Sequence, residues 1–167
     1  MSDQTKQIAE IVKRVKLDLE ISKKSDEYAQ GQTRDIAISL SEKECEIDKA
    51  QVRGLENLAN TTGKISEITD WLKIRIGRDT KGKKWRFKGI GQELLTALEN
   101  LRTDAKQIAK TLSQYASDAD FERRVHLQLC REFLMHVSAY YEYEQRNLEH
   151  EQSKKRTTNA TAAGSVE

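Results

Sequence analysis

Proline is absent from this 167-residue sequence, although average usage of about 5% would place roughly eight prolines in a chain of this length. Aromatic residues are also scarce, at 6%, while charged residues reach 34%. A β-sandwich would need more turn residues and more β-branched runs than this composition supplies. Long helices with solvated outer faces fit it better. The sequence therefore predicts an all-α fold, a helical bundle of about five helices.

Cysteines and long apolar runs are few as well. The two cysteines, Cys45 and Cys130, lie far apart and neither belongs to a CxxC pair, which favours reduced thiols in a cytosolic chain. No apolar run approaches the roughly 20 residues that a membrane span requires, and residues 1–10 lack the apolar core of a signal peptide. We therefore expect a cytoplasmic protein with no membrane partner.

Two segments carry the strongest helical patterns. Residues 121–143 have apolar side chains on most sides, and a helix of this kind must be covered on most sides. Residues 91–115 repeat apolar side chains at alternating steps of four and three, from Leu94 to Tyr115. The first segment is predicted to be the central helix of the bundle, extending to about residue 151. The second is predicted to be a helix throughout.

Residues 1–30 are predicted to form an extended amphipathic helix. Its apolar residues follow a 4-3-4 spacing that draws a narrow seam, and the pattern fades after Ile21. A seam without an evident partner in its own chain favours contact with another chain or another copy. The predicted partner-binding residues are Ile8, Val12, Val15 and Leu19.

The remaining chain divides into a bundle, residues 31–152, and a tail. Gly31 is a plausible break, and Thr33 is a candidate cap for a second helix that reaches about residue 60. A third helix follows the turn at residues 61–63. Residues 153–167 hold almost no large apolar side chain and are predicted to be disordered.

Residues 71–91 permit two interpretations. A helix followed by a loop continues the apolar pattern of the third helix. A β-hairpin is the alternative, because apolar residues alternate on both sides of a DTKG turn at residues 79–82. An isolated two-stranded hairpin is marginal in a helical context, so helix-then-loop is preferred.

Sequence motifs for catalysis are weak. There is no GxSxG, HExxH or Walker loop, and Gly89-Ile90-Gly91 lacks the preceding strand of a phosphate-binding turn. Glu122, His126 and Cys130 would share one helical face, but their spacing matches no established zinc pattern. His136 lies on the apolar helix and is predicted to be a hydrogen-bonded core histidine. We expect a non-catalytic protein without a metal or cofactor.

Basic residues are concentrated between residues 73 and 88, where eight lysines and arginines accompany a single acid, Asp79, and aromatic residues are interleaved. Cations neutralise phosphates and aromatic rings stack on unpaired bases, so this segment favours nucleic-acid binding. The alternatives are contact with a protein or another acidic surface, and a solvated loop whose two tryptophans are core anchors. The contacts predicted from charge are Lys83, Lys84, Arg86 and Lys88, with Trp85 as a stacking residue.

Three segments resemble, in order, the small helical subunit of type III-A CRISPR effector complexes. Residues 50–59 (AQVRGLENLA) are similar to that family's early helix with a Gln-hydrophobic-Arg element. Residues 71–82 (WLKIRIGRDTKG) resemble its aromatic-Leu-basic-hydrophobic-Arg helix, and residues 130–143 (CREFLMHVSAYYEY) resemble its last helix. The resemblance implies a non-catalytic subunit of an RNA-guided antiviral ribonucleoprotein, present in more than one copy, that holds guide and target RNA by their backbones. It implies RNA contacts for Arg53, Lys73, Arg75 and Arg78.

A second resemblance covers residues 83–102 (KKWRFKGIGQELLTALENLR), which are similar to the basic, tryptophan-containing helix start in the helical N-terminal domains of fungal signalling NTPases. Separately, the seam of residues 1–30 gives the alternative function, a helical protein-interaction or adaptor module with no nucleic-acid role. RNA and other subunits are the expected partners in the first case, and a partner helix in the second. No small-molecule substrate is expected in either.

Overall fold

The computed structural model describes residues 3–112 and 118–163, with side chains as far as residue 155. Within these ranges the chain forms six α-helices and one short 3-10 helix, with no strand. The predicted all-α helical bundle is therefore confirmed. The elements are α1 Asp3–Tyr28, α2 Gln32–Ser41, α3 Lys49–Thr61, α4 Ile65–Arg78, the 3-10 helix Phe87–Gly89, α5 Ile90–Thr111 and α6 Ala119–Ala163.

Helix α6 is the centre of the bundle, as its apolar pattern predicts. Helices α1, α2, α3 and α5 all pack against it, whereas α4 packs on α3 and α5. Its buried residues point to several sides of the helix because each side meets a different neighbour. They are Phe121, Val125, His126, Leu127, Leu129, Cys130, Phe133, Leu134, Val137, Ser138 and Tyr141.

The heptad seam of α5 is buried along its length. Five successive seam residues are covered by other helices, and the next, Leu112, is partly buried just beyond the end of α5. The last predicted seam residue, Tyr115, lies outside the described residues. The prediction of a helix is confirmed from Ile90 to Thr111. The five buried seam residues are Leu94, Leu98, Leu101, Ala105 and Ile108.

The predicted second helix, residues 34–60, is wrong as a single element. Helices α2 and α3 are separate, because Asp48 caps the start of α3: its side chain accepts from the Gln51 amide over 2.8 Å, while the Gln51 side chain accepts from the Asp48 amide over 3.2 Å. Thr33 does not cap α2 either. It is buried, and its hydroxyl donates to the Tyr28 carbonyl at the end of α1.

The two remaining boundary predictions differ in outcome. Helix α4 ends at Arg78 and residues 79–86 form a loop, so the helix-then-loop interpretation is confirmed and the β-hairpin is wrong. Helix α6 continues through Ala163, and it thereby includes residues 153–163 of the predicted disordered tail. No glycine or proline interrupts it. Residues 164–167 lie outside the described residues.

No helix in the described part of the chain is long and apolar enough to cross a membrane.

Candidate nucleic-acid interface

The loop between α4 and α5 is folded around the carboxylate of Asp79, which is only 7% exposed. Its two oxygens accept hydrogen bonds from the backbone amides of Lys83, Lys84 and Arg86 over 3.3, 2.9 and 2.8 Å. Burial alone would raise the pKa of Asp79, but these amides stabilise the anion and lower the pKa below its ordinary value. The one acid of the basic segment therefore faces the backbone of its own loop.

Four basic side chains of this segment have neither a carboxylate within ion-pair distance nor an aromatic ring partner among the described residues. They extend from the loop and from the last turn of α4, and all are exposed. Since the loop closes on Asp79, their backbones are gathered at one corner of the bundle. We call them the open cations: Arg78, Lys81, Lys84 and Arg86.

The other four basic residues of the segment are already engaged. Lys73 lies 3.6 Å from Asp70 one turn earlier in α4. Lys83 and Lys88 reach back to the loop between α2 and α3, where they pair with Glu46 over 3.3 Å and Glu42 over 2.5 Å, respectively. The fourth, Arg75, lies over the ring of Trp71, with 4.8 Å from its guanidinium carbon to the ring centroid.

The predicted stacking role of Trp85 is wrong. Trp85 is only 2% exposed and packs edge-on against Trp71, with ring centroids 5.4 Å apart at 83°. Neither face of a buried ring is available to a base. Trp71 is partly buried and carries Arg75 on its ring. The core-anchor interpretation is therefore confirmed for Trp85.

Arg53, the remaining predicted RNA contact, is held elsewhere. It makes a 2.7 Å ion pair with Glu142 of α6, which Lys49 also approaches to 3.1 Å. The hydrogen bonds from Arg53 and Lys49 lower the pKa of Glu142. Arg53 therefore contacts α6.

Gly91, in the first turn of α5, allows the helix to pack closely against the loop and α4. The Gly91 amide donates to the Trp85 carbonyl over 2.8 Å. A Cβ atom at position 91 would lie 2.5 Å from both that carbonyl oxygen and Cγ1 of Ile76, so only glycine fits. This close approach joins the end of α4, the loop and the start of α5 into one packed corner.

Glu122, His126 and Cys130 share one face of α6 and are engaged with protein groups: the Cys130 thiol donates to the Leu98 carbonyl, with 3.9 Å between Sγ and the oxygen. Glu122 pairs with Arg102, whereas the imidazole of His126 donates to the Leu98 carbonyl over 2.7 Å. Burial lowers the pKa of His126. Among the described side chains, no group of three or more histidines, cysteines and carboxylates is arranged to hold a metal ion.

His136 makes the hydrogen bond expected of a core histidine, to Ser25 of α1. Ser25 donates its hydroxyl proton to Glu132 over 3.0 Å, so Nε2 of His136, 2.9 Å away, acts as the donor to Ser25. In a Ser-His-acid relay the histidine instead accepts the serine proton and the acid holds the other ring nitrogen. The three side chains fasten α1 to α6.

Helix α1 has two apolar faces on opposite sides. The inner face, with Leu17, Ile21 and Tyr28, packs on the bundle, and the Tyr28 hydroxyl donates to Asp104 of α5 over 2.9 Å. At 100° per residue the predicted seam lies half a turn away. Its side chains are exposed by 62% for Ile8, 46% for Val12, 60% for Val15 and 54% for Leu19.

Comparisons of the chain with protein-family models, with curated proteins and with solved structures find no match. The two resemblances noted in the sequence therefore stay predictions, and function is inferred from the surfaces described above.

Proposed function

We propose that this protein is a non-catalytic RNA-binding subunit that contacts the phosphate backbone through the open cations. One observation carries the proposal: four exposed cations share a corner in which the only acid of the segment is turned toward backbone amides. Phosphates are the natural partners of such a surface, because each contact releases a condensed counterion.

Backbone contact fits this corner better than recognition of bases. Trp85 is buried, and Trp71 is partly buried with Arg75 over its ring, so little tryptophan surface is left for stacking on unpaired bases. Binding is expected to tolerate any RNA sequence and to weaken as salt rises.

The resemblance to the small subunit of type III-A CRISPR complexes supports the same function. Two of the open cations, Arg78 and Lys81, fall within the similar segment at residues 71–82. A subunit that holds guide and target RNA needs only sequence-independent contacts, because base pairing between the RNA strands supplies the specificity. We therefore place the protein in an RNA-guided antiviral complex, together with other subunits.

The test compares two charge reversals of equal size. Lys84→Glu with Arg86→Glu alters the proposed interface, whereas Lys106→Glu with Lys110→Glu alters exposed lysines about 24 Å or more along α5 from Ile90, at 1.5 Å per residue. Arg78 is left unchanged, because a cation in the last turn of α4 also complements the helix dipole. Anisotropy of a labelled single-stranded RNA of about 20 nucleotides, and of its duplex, reports binding at low salt.

We expect the interface variant to bind at least about tenfold more weakly than the wild type, and the α5 variant to change by less than about threefold. Far-UV circular dichroism and melting temperature should be unchanged in both, because exposed charges contribute little to stability. Equal losses in the two variants would show that net charge, not this corner, attracts RNA. A wild-type protein that binds neither RNA at low salt would refute the proposal.

A protein-interaction module is the second candidate function, and the outer face of α1 favours it. Four large apolar side chains in a row stay exposed on a helix whose opposite face is already packed. Contiguous exposed apolar surface of this kind is typical of contact with another protein, and a 4-3-4 spacing suits a partner helix. This surface is compatible with the RNA-binding function, since a subunit of a complex needs both.

A further inference from the structure

The loop that carries three of the open cations depends on one buried anion for its shape. Residues 80–86 contain no helix or strand, so no regular backbone hydrogen-bond pattern holds them in place. Asp79 supplies acceptors for three of them, at Lys83, Lys84 and Arg86. Two further contacts tie the loop down: the Lys83 carbonyl accepts from the Glu46 amide over 2.7 Å, and the Trp85 carbonyl accepts from Gly91.

We infer that Asp79 is the positioning residue of the proposed interface: its carboxylate holds the backbone of Lys84 and Arg86 so that their side chains are displayed as a fixed cluster. This inference rests on the proposed RNA-binding function. Asp79 itself touches no RNA, since its oxygens are buried against the loop amides. The loop is ordered when the protein folds, so RNA does not have to order it on binding.

If Asp79 has this role, an acidic residue strengthens binding to the anionic RNA. Charge alone predicts the opposite. Removing Asp79 raises the net charge by one, and Coulomb attraction to phosphates should then increase. If Asp79 positions the cations, the same change frees the loop and weakens binding. The two effects have opposite signs, so the direction of the change in affinity separates them.

Asp70 provides a matched control within the same region. It is an exposed acid on α4 whose ion pair is with Lys73, at 3.6 Å. Asp70→Asn removes the same charge as Asp79→Asn without disturbing the loop amides. In the wild type, one carboxylate oxygen of Asp79 accepts from Lys83 and the other accepts from Lys84 and Arg86. Asp79→Asn keeps only one of these two acceptors. Asp79→Ala removes every acceptor.

The experiment measures binding of the full chain to the labelled single-stranded RNA of about 20 nucleotides, well below the melting temperature of each variant. We expect Asp79→Ala to weaken binding by about tenfold, Asp79→Asn by about threefold, and Asp70→Asn to leave it equal or tighter. Amide hydrogen exchange is the second readout. In both Asp79 variants the amides of Lys83, Lys84 and Arg86 should lose protection, while the protection of α5 and α6 stays at the wild-type level.

Each outcome decides a separate claim. If the wild type binds RNA and the Asp79 variants bind as tightly as Asp70→Asn, the inference is wrong and the proposed function stands. If the wild type binds no RNA, both fall. Should Asp79→Ala lose protection throughout the bundle, its weak binding reflects unfolding, and Asp79→Asn decides: unchanged or tighter binding by a folded Asp79→Asn protein overturns the positioning role.

Discussion

The backbone amide of Arg86 donates to the Asp79 carboxylate over 2.8 Å, while the guanidinium of Arg86 has no carboxylate partner in the described part of the chain. The two residues are thus joined through the main chain instead of through an ion pair. As a result, the negative charge of Asp79 serves to shape the loop, and the positive charge of Arg86 remains at the surface.

The first prediction concerns stability and pH. Asp79 has a lowered pKa in the folded protein, so its ionised form stabilises the fold. That contribution is complete above the ordinary carboxyl pKa of about 4 and is lost as the pH falls through the lower folded pKa. Asp79→Asn should therefore lower the free energy of unfolding by about 1 to 2 kcal/mol at pH 7, and the difference from wild type should shrink below about pH 4.

Urea titrations at a series of pH values measure this difference. Asp70→Asn is the control, and it should change stability by less than about 1 kcal/mol, because its pair with Lys73 is exposed. A difference between wild type and Asp79→Asn that grows toward acid pH would contradict the assigned role of the carboxylate.

The second prediction distinguishes open cations from paired ones by the salt dependence of RNA binding. If all four open cations neutralise phosphates, the log-log slope for single-stranded RNA should be about −3, at roughly −0.7 per contact. Replacing Lys84 and Arg86 with glutamine should roughly halve it. Replacing Lys83 and Lys88 with glutamine removes equal charge, but these lysines already pair with Glu46 and Glu42, so the slope should hardly change.

The measurement is RNA affinity over a range of salt concentrations for the wild type and both double variants. Equal reductions of the slope would mean that Lys83 and Lys88 exchange their carboxylates for phosphates, and that the distinction between open and paired cations fails in solution.

The third prediction concerns the corner that supports the loop. Gly91→Ala places a Cβ atom 2.5 Å from the Trp85 carbonyl oxygen, and a backbone atom cannot move away as a flexible side chain can. We expect a loss of about 1 to 3 kcal/mol in the free energy of unfolding, the usual cost of overpacking.

Gly54→Ala is the control. No atom lies within 4 Å of its added Cβ, and alanine in the interior of α3 should stabilise the protein by about 0.5 to 1 kcal/mol. Equal changes in the two variants would mean that the contact at Gly91 is not as close as described.

Much of the fold could be predicted because the apolar residues of its helices recur at helical spacing in the sequence. The seam of α5 and the apolar sides of α6 depend on residues within a few turns of each other, and both helices are present. The break between α2 and α3 had a local signal that periodicity alone missed. Asp48 and Gln51 stand three residues apart, the spacing of a capping box, and they start α3 as a separate helix within residues 34–60.

The site was less predictable because its chemistry is set by distant residues. The basic charge of the segment is evident in the sequence, but which cations are open depends on Glu42 and Glu46, which come from the loop between α2 and α3. Lys81 was not among the predicted contacts and is nevertheless open. The role of the lone acid Asp79 could not be predicted, because no local pattern reveals that backbone amides surround it.

The last prediction concerns the outer face of α1. Val12 and Val15 lie near the middle of the exposed seam, so Val12→Glu with Val15→Glu should remove a protein contact without touching the core. If the seam joins copies of this chain, the wild type should show a mass above the 19.2 kDa of one chain in light scattering at high concentration. The variant should return to that mass, because burying two charged side chains in an apolar contact is costly, and at dilutions where the wild type is a single chain the two should melt at the same temperature. Ile21→Ala is the control on the opposite face: it should lower the free energy of unfolding by about 2 kcal/mol or more and leave the mass of the folded protein unchanged. A wild type that stays at the mass of one chain at every concentration would exclude self-association through this seam. A lower melting temperature of the glutamate variant under dilute conditions would mean that the seam packs within its own chain.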